Sequence, residues 1–291
     1  MRHSSMPCPL CDDTGWKRVA RSDGTTAVTR CDCWHDTRGQ RLIAEARIPR
    51  RYQHCTFDNF LTYANETLER GVAAARRLAA DFPLVDRGLF LLGPPGVGKT
   101  HLCVAVLRQA VLRTKARALF YDTRELLRLI RQTYDPVVQA TESDVLRPVL
   151  QADLLVLDDL GAEKTSEWVE ETLNLIVNHR YSERRVTLFT SNYDDKPDHS
   201  DPDSLLFRIG IRMRSRLHEM CEFLHLDGAD YRELPANGGA DDLRLLWEMR
   251  RRQGPALRRA LPARGNPAKA QLREREAPPV ELKWTGGRAG T

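Results

Sequence analysis

Nothing in the 291-residue sequence approaches the run of about 20 apolar residues that a membrane helix needs. The opening Met1-Arg2-His3-Ser4-Ser5 lacks the apolar core of a secretory signal. The expectation is a cytoplasmic protein with no membrane partner. No internal repeat is visible, which excludes a solenoid. Excess charge is also scarce. The formal net charge is +5, and residues 234–291 hold twelve Lys/Arg against six Asp/Glu, so the rest of the chain lies close to −1. A uniformly basic nucleic-acid face is therefore excluded, although local stripes are not. Cysteines number seven, an odd count, with four in the first 33 residues and Cys55, Cys103 and Cys221 isolated in apolar surroundings. That distribution points to a metal site and against a disulfide framework. At 41% hydrophobic, the chain can hold one full-sized α/β domain with smaller pieces at its ends.

One stretch organises what is present. Leu89-Phe90-Leu91-Leu92-Gly93-Pro94-Pro95-Gly96-Val97-Gly98-Lys99-Thr100 matches G-x-x-x-x-G-K-[ST] at every position. An apolar strand precedes the motif and an apolar helix (Leu102, Val104, Ala105, Val106, Leu107) follows it. Glycines let backbone N–H groups face inward around a polyphosphate, Lys99 reaches the outer phosphates, and Thr100 offers its hydroxyl to Mg²⁺. The helix N-terminus behind the loop favours anions. Gly93, Pro94, Pro95, Gly96, Val97, Gly98, Lys99 and Thr100 thus form the expected cradle for a nucleoside triphosphate.

Cys8-Pro9-Leu10-Cys11 and Cys31-Asp32-Cys33 bracket a segment centred on Asp23-Gly24, a dipeptide suited to a tight hairpin. Two thiolate pairs facing each other across that hairpin make a tetrahedral zinc site from Cys8, Cys11, Cys31 and Cys33. Cys-x-Cys on a regular strand would point its sulfurs to opposite sides, so the second pair is expected in a turn, with His35 able to replace one sulfur.

Residues 37–47 read as a charged helical connector, stopped by Ile48-Pro49. Apolar residues at helical spacing predict a helix over 63–82, ending at Pro83. Beyond the phosphate loop, predicted strands at 118–121, 153–158, 186–190 and 222–226 alternate with helices near 123–132, 166–181 and 204–220, the pattern of a parallel sheet covered on both faces. After Arg232 the composition turns to Pro, Gly, Ala and Arg, with one short helical candidate at 241–252. The predicted organisation is a zinc module at 1–36, a linker helix at 37–49, the α/β domain at 50–233, and a basic, largely disordered tail at 234–291.

Leu154-Leu155-Val156-Leu157-Asp158-Asp159 is an apolar strand whose carboxylates emerge on the same edge as the phosphate loop. Asp158 is assigned to Mg²⁺, through water, and Asp159 to orienting or deprotonating the attacking water. Asn192 follows the next core strand and either positions water against the terminal phosphate or serves a turn. Arg208, Arg212 and Arg216 recur every four residues with Arg214 off their stripe, a solvated face or a source of phosphate neutralisation for a neighbouring subunit. Arg124, Arg128 and Arg131 form a second stripe, with Tyr134 near enough to stack a base.

Together these residues resemble bacterial replicative-helicase loaders of the DnaC/DnaI type, a branch of the AAA+ ATPases. The resemblance covers about 48–232 and rests on Gly93 to Thr100, on Leu157-Asp158-Asp159-Leu160-Gly161-Ala162-Glu163-Lys164, on Thr190-Ser191-Asn192, on Ser215-Arg216-Leu217 and on Asp230-Tyr231-Arg232. Ile48-Pro49-Arg50-Arg51-Tyr52 and Thr56-Phe57-Asp58-Asn59-Phe60 are similar to the family's entry segment, and the cysteine cluster is similar to that of its zinc-containing members. The resemblance implies a five-stranded parallel sheet of order 5-1-4-3-2, and ATP bound between subunits of a ring or spiral. It implies that Asn192 is sensor 1, that Arg216 is the arginine finger with Arg212 in reserve, and that Arg232 is a candidate for sensor 2. It further implies a hexameric replicative helicase and single-stranded DNA as partners, with the zinc module docking on the helicase. Asp159 stands where most AAA+ proteins carry glutamate, which implies slow hydrolysis suited to a switch, and the helical lid of larger relatives has no room before the tail. Two other readings share the motifs: an IstB-type transposition helper ATPase acting with a transposase on double-stranded DNA, and a nucleotide-gated adaptor without turnover.

Overall fold

Strong local stop and start signals divide the chain into short elements. The computed structural model describes residues 8–252 apart from 13, 23, 136, 164, 165 and 199. An antiparallel hairpin of β1 (Trp16–Ala20) and β2 (Thr26–Arg30) leads into helix α1 (Asp32–Glu45), then α2 (Glu66–Asp81). The order continues β3 (Gly88–Leu92), α3 (Lys99–Thr114), β4 (Ala118–Asp122), α4 (Thr123–Gln132), α5 (Glu142–Gln151), β5 (Leu154–Asp158) and α6 (Glu167–Ser182). It closes with β6 (Val186–Ser191), α7 (Leu205–Met220), β7 (Cys221–His225) and α8 (Ala240–Arg252). Side-chain oxygens of Asn65, Asp122, Thr141, Ser166 and Ser204 accept from the first-turn N–H groups of α2, α4, α5, α6 and α7.

The five long-range strands pair in parallel in the order β4-β5-β6-β3-β7. Numbered from β3 along the chain, this is the expected 5-1-4-3-2. Because both faces are covered, the central strands β3 and β5 are fully buried and almost wholly apolar, and the sheet splits its side chains between two cores. Leu89, Leu91, Leu154, Val156 and Leu188 join the core formed with α2 and α3, while Phe90, Leu92, Leu155, Leu157 and Phe189 join the one formed with α4 to α7.

The structure departs from the sequence expectations at four places. α1 begins at Asp32, not at 37, because Cys31 is itself its extended N-cap, so Cys33 lies in a helical first turn. α5 was not expected; its capping box, Thr141 with Asp144, holds the first turn, and Pro148 falls inside it. α7 is interrupted at Gly210, where φ 76° and ψ 161° suit glycine alone, so Arg208 does not continue the stripe of Arg212 and Arg216. Finally, the folded chain continues past 233 into α8, the short helix expected at 241–252. Leu243 of α8 is buried, Trp247 packs 5.9 Å from the Tyr63 ring, and Arg250 donates to the Gly228 carbonyl. The expectation of disorder for 253–291 lies outside the described residues.

Arg180 was not singled out in the sequence. It is fully buried, donating through Nη1 to the carbonyls of Val149 and Ala152, through Nη2 to that of Val186 and through Nε to the Thr187 hydroxyl. Burial pulls its pKa down to about 9, and the nearby Arg185 charge adds to that pull. The guanidinium ties the end of α5 to the start of β6 through neutral acceptors. Arg180→Leu strands those acceptors and is expected to cost roughly 3–5 kcal/mol of stability. A urea midpoint that hardly moves would show that the carbonyls find other donors.

Candidate nucleotide site and metal centre

Parallel register gathers the site at the carboxyl edge of β3, β5 and β6. The loop leaving β3 is held to the segment after β7: the Tyr231 amide donates to the Gly96 carbonyl at 3.1 Å. A Cβ on Gly96 would lie 1.8 Å from the Asp230 carboxylate, so the loop admits no larger residue there. Gly98, in left-handed conformation, caps α3 and starts it at Lys99. Lys99 Nζ donates to the carbonyls of Gly93 (2.7 Å) and Pro94 (2.9 Å) and to Asn192 Oδ1 (2.8 Å). Thr100 Oγ1 donates to Asp158 Oδ1 at 2.8 Å, and Thr190 Oγ1 donates to the same oxygen at 2.7 Å. The Thr190 hydroxyl also accepts from the Asp159 amide, at 2.8 Å, fixing the left-handed turn (φ 60°) by which the chain leaves β5. Asp159 Oδ1 accepts from Asn192 Nδ2 at 2.5 Å, and its Oδ2 meets Arg124 Nη2 at 3.1 Å.

The charges are tuned by burial. Asp158 is pushed up to about 6 by desolvation, against the hydrogen bonds from Thr190 and Thr100 that hold it down. Asp159 is raised by the same burial, opposed by Arg124. Lys99 is drawn down to about 8 by burial, with Asp159 and Asp158 working against the shift and the charge of Arg232 working with it. The Thr100 hydroxyl and the Asp158 carboxylate are hard oxygen donors in mutual contact beside the cradle, a set that fits Mg²⁺.

Lys99, Thr100, Asp158, Asp159 and Asn192 thus come together, and Arg232, in a short turn that follows Asp230, is close enough to influence Lys99. The arginines of α7 make separate contacts. Arg208 stacks 4.6 Å from the Tyr193 ring and donates to the Pro202 carbonyl. Arg214 forms a two-point ion pair with Asp195, while among the described residues Arg216 donates to the Arg212 carbonyl alone, at 3.4 Å. On α4, Arg124 belongs to Asp159 and not to a free basic stripe. Sequence reasoning passed over this pairing and the bridging hydroxyl of Thr190. Both follow from register: Asp122 lies opposite Asp158 in the β4–β5 ladder, which puts Arg124 beside Asp159, and Leu157 lies opposite Phe189 in the β5–β6 ladder, which carries Thr190 to Asp158. Trp168 was also passed over. The Arg131 guanidinium lies 4.5 Å over its ring, and its Nε1 donates to the Tyr134 hydroxyl at 3.3 Å.

At the N-terminus, the Sγ atoms of Cys8, Cys11, Cys31 and Cys33 all lie within 4.8 Å of one another, with Cys8–Cys31 at 3.8 Å and Cys11–Cys33 at 3.2 Å. A tetrahedral ZnS₄ centre with bonds of about 2.3 Å has edges of about 3.8 Å, so four thiolates here fit zinc. The His35 side chain lies outside the described residues. Arg30 stacks 3.7 Å over Trp16 and 4.5 Å from Trp34, linking the hairpin to α1.

A sequence profile of the family described as IstB-like ATP binding protein matches residues 26–234. The replicative helicase loader DnaC of Buchnera aphidicola (subsp. Acyrthosiphon pisum) is 29% identical over 157 residues, 54% of this chain and 63% of that protein. The match thus spans less than two thirds of that relative. DnaC of Escherichia coli K12 is 26% identical over 178 residues, 61% of this chain and 69% of that one. Among solved structures, the crystal structure of the DnaC helicase loader is 31% identical with a TM-score of 0.55, covering 62% of this chain and all of its own.

Two outcomes follow from this geometry. Phosphate binding needs the Lys99 ammonium, and in the free protein that proton is lost as pH rises through about 8. Above that pH, binding must take a proton up, so the apparent ATP affinity is expected to fall toward tenfold per pH unit, with proton uptake visible by calorimetry in buffers of different ionisation enthalpy. A flat affinity from pH 7 to 10 would contradict the buried-lysine account. The hairpin strands are exposed on nearly every residue, and a bare two-stranded ribbon is not stable alone. Purified protein is therefore expected to carry about one equivalent of zinc. Cys11→Ser should release the metal and open residues 8–36 to proteolysis while sparing ATP binding, and intact protein that is metal-free yet protease-resistant there would exclude the zinc centre.

Proposed function

The chain belongs to the IstB-like ATP-binding family and is a relative of the DnaC helicase loaders, and on that basis we propose that it is an ATP-dependent loader of a hexameric replicative helicase. The observation that carries the ATP-dependent part is the hydrogen-bonded chain Lys99–Asn192–Asp159 beside the Thr100–Asp158 pair. Lys99 exchanges its loop carbonyls and Asn192 for the outer phosphates. Asn192, released from the lysine, orients the attacking water, and Asp159 accepts that water's proton as the P–O bond to ADP breaks and phosphate leaves. Mg²⁺ held by Thr100 and Asp158 would neutralise phosphate charge. Arg216, whose guanidinium has no acidic partner among the described residues, supplies positive charge to the nucleotide of a neighbouring subunit in a ring or spiral, and Arg232 does so at its own. The short side chain of Asp159, with both oxygens engaged, suits slow turnover and a switching role.

The zinc module is the proposed helicase contact. Exposed Arg128 and Arg131, with Tyr134 and Trp168, form the proposed path for single-stranded DNA: guanidinium groups for phosphates and an aromatic pair for a base. The family description also allows an IstB-type helper acting with a transposase on duplex DNA; the four-cysteine cluster and the DnaC relatives favour the loader.

Lys99→Ala is expected to abolish nucleotide binding, whereas Asp159→Asn keeps binding and loses turnover, measured as labelled-ATP retention against phosphate release. Equal loss of binding in both would assign Asp159 to the fold or the metal. Binding to oligo-dT should weaken with salt, each of Arg128→Ala and Arg131→Ala should reduce the log–log slope by about 1, and Trp168→Ala should cost about 1–3 kcal/mol with the slope unchanged. Tighter binding to duplex DNA than to oligo-dT would favour the transposition helper.

A further inference from the structure

We propose that Glu163 is a second seat for the Arg124 guanidinium, and that movement of Arg124 from Asp159 to Glu163 frees the carboxylate that accepts the proton of water. The inference rests on the proposed role of Asp159 in turnover. Both oxygens of Asp159 accept a hydrogen bond, one from Asn192 at 2.5 Å and the other from Arg124 at 3.1 Å, and the guanidinium charge makes the carboxylate a poorer acceptor for the proton of water. Arg124 is the partner whose departure restores that basicity. Asn192 carries no charge and follows the buried end of β6, whereas the Arg124 side chain is 58% exposed and is held by that single ion pair among the described residues.

Glu163 offers the destination. It stands four residues after Asp159, in a loop whose Leu160 amide donates to the Thr190 carbonyl. It is only 8% exposed, and its Oε1 accepts from the Gly161 amide at 3.2 Å. Its Oε2 is buried with no hydrogen-bond partner among the described residues. A buried carboxylate oxygen without a donor is costly and calls for one. Glu163 also lies within the electrostatic reach of both Arg124 and Asp159. Transfer of the guanidinium removes one partner from Asp159 and supplies one to Glu163, an exchange that a bound nucleotide would bias.

The test is a double-mutant cycle read by steady-state phosphate release, with ATP affinity and Tm measured alongside. Glu163→Gln keeps an oxygen for the Gly161 amide but removes the charge that draws Arg124. It is expected to lower kcat about tenfold with KM and Tm unchanged. On an Arg124→Ala background, where Asp159 is already released, the same substitution should change kcat by no more than about twofold. An equal loss on both backgrounds, or no loss with Arg124 present, overturns the inference while leaving the ATPase reading intact. Wild-type protein that binds ATP yet releases no phosphate overturns that reading, and the inference with it.

Discussion

Burial of Asp158 at the end of an apolar strand is the constraint on which the site depends. A carboxylate there can remain charged only if donors surround it, and the hydroxyls of Thr100 and Thr190 do so from two neighbouring elements. That requirement fixes the relative heights of β5, β6 and the start of α3. Once it is met, Thr190 holds the amide of Asp159, and Asn192, two residues beyond Thr190, arrives within reach of both Asp159 and Lys99. Burial shifts the two central groups toward each other, Asp158 up to about 6 and Lys99 down to about 8. Between those values carboxylate and ammonium are both charged, which is the state a Mg²⁺-nucleotide requires.

The phosphate loop and the two acids were legible because each lies in a contiguous motif whose residue types have few other uses. The sheet order was legible only by resemblance, since apolar alternation reveals parallel strands but not their sequence in space. What escaped was local geometry that depends on partners. A cysteine serving as a helix N-cap, as Cys31 does, hides the start of α1 from capping rules written for oxygen. The Thr141–Asp144 box announces α5, but the helix contains Pro148, which reads as a breaker. The four-residue spacing of Arg208, Arg212 and Arg216 suggests one face, and a single glycine conformation at 210 divides it. Arg124 reads as one member of a basic stripe until the β4–β5 register places it against Asp159.

That displacement of Arg124 connects the two halves of the proposed function. The same short helix carries the arginine that engages Asp159 and, one and two turns further on, Arg128 and Arg131 on an exposed face that ends at Trp168. On the proposed reading, a nucleic acid strand on that face and the nucleotide would act on one helix, as a loader acting as a switch would need.

The loader assignment is tested most directly by following a hexameric replicative helicase from the same host onto a closed circular single strand, which it cannot enter from an end. With ATP and this protein present, helicase retained on the circle should rise well above the level without the protein, and Lys99→Ala should remove the gain. Equal retention with and without the protein, or retention unaffected by Lys99→Ala, would contradict the account.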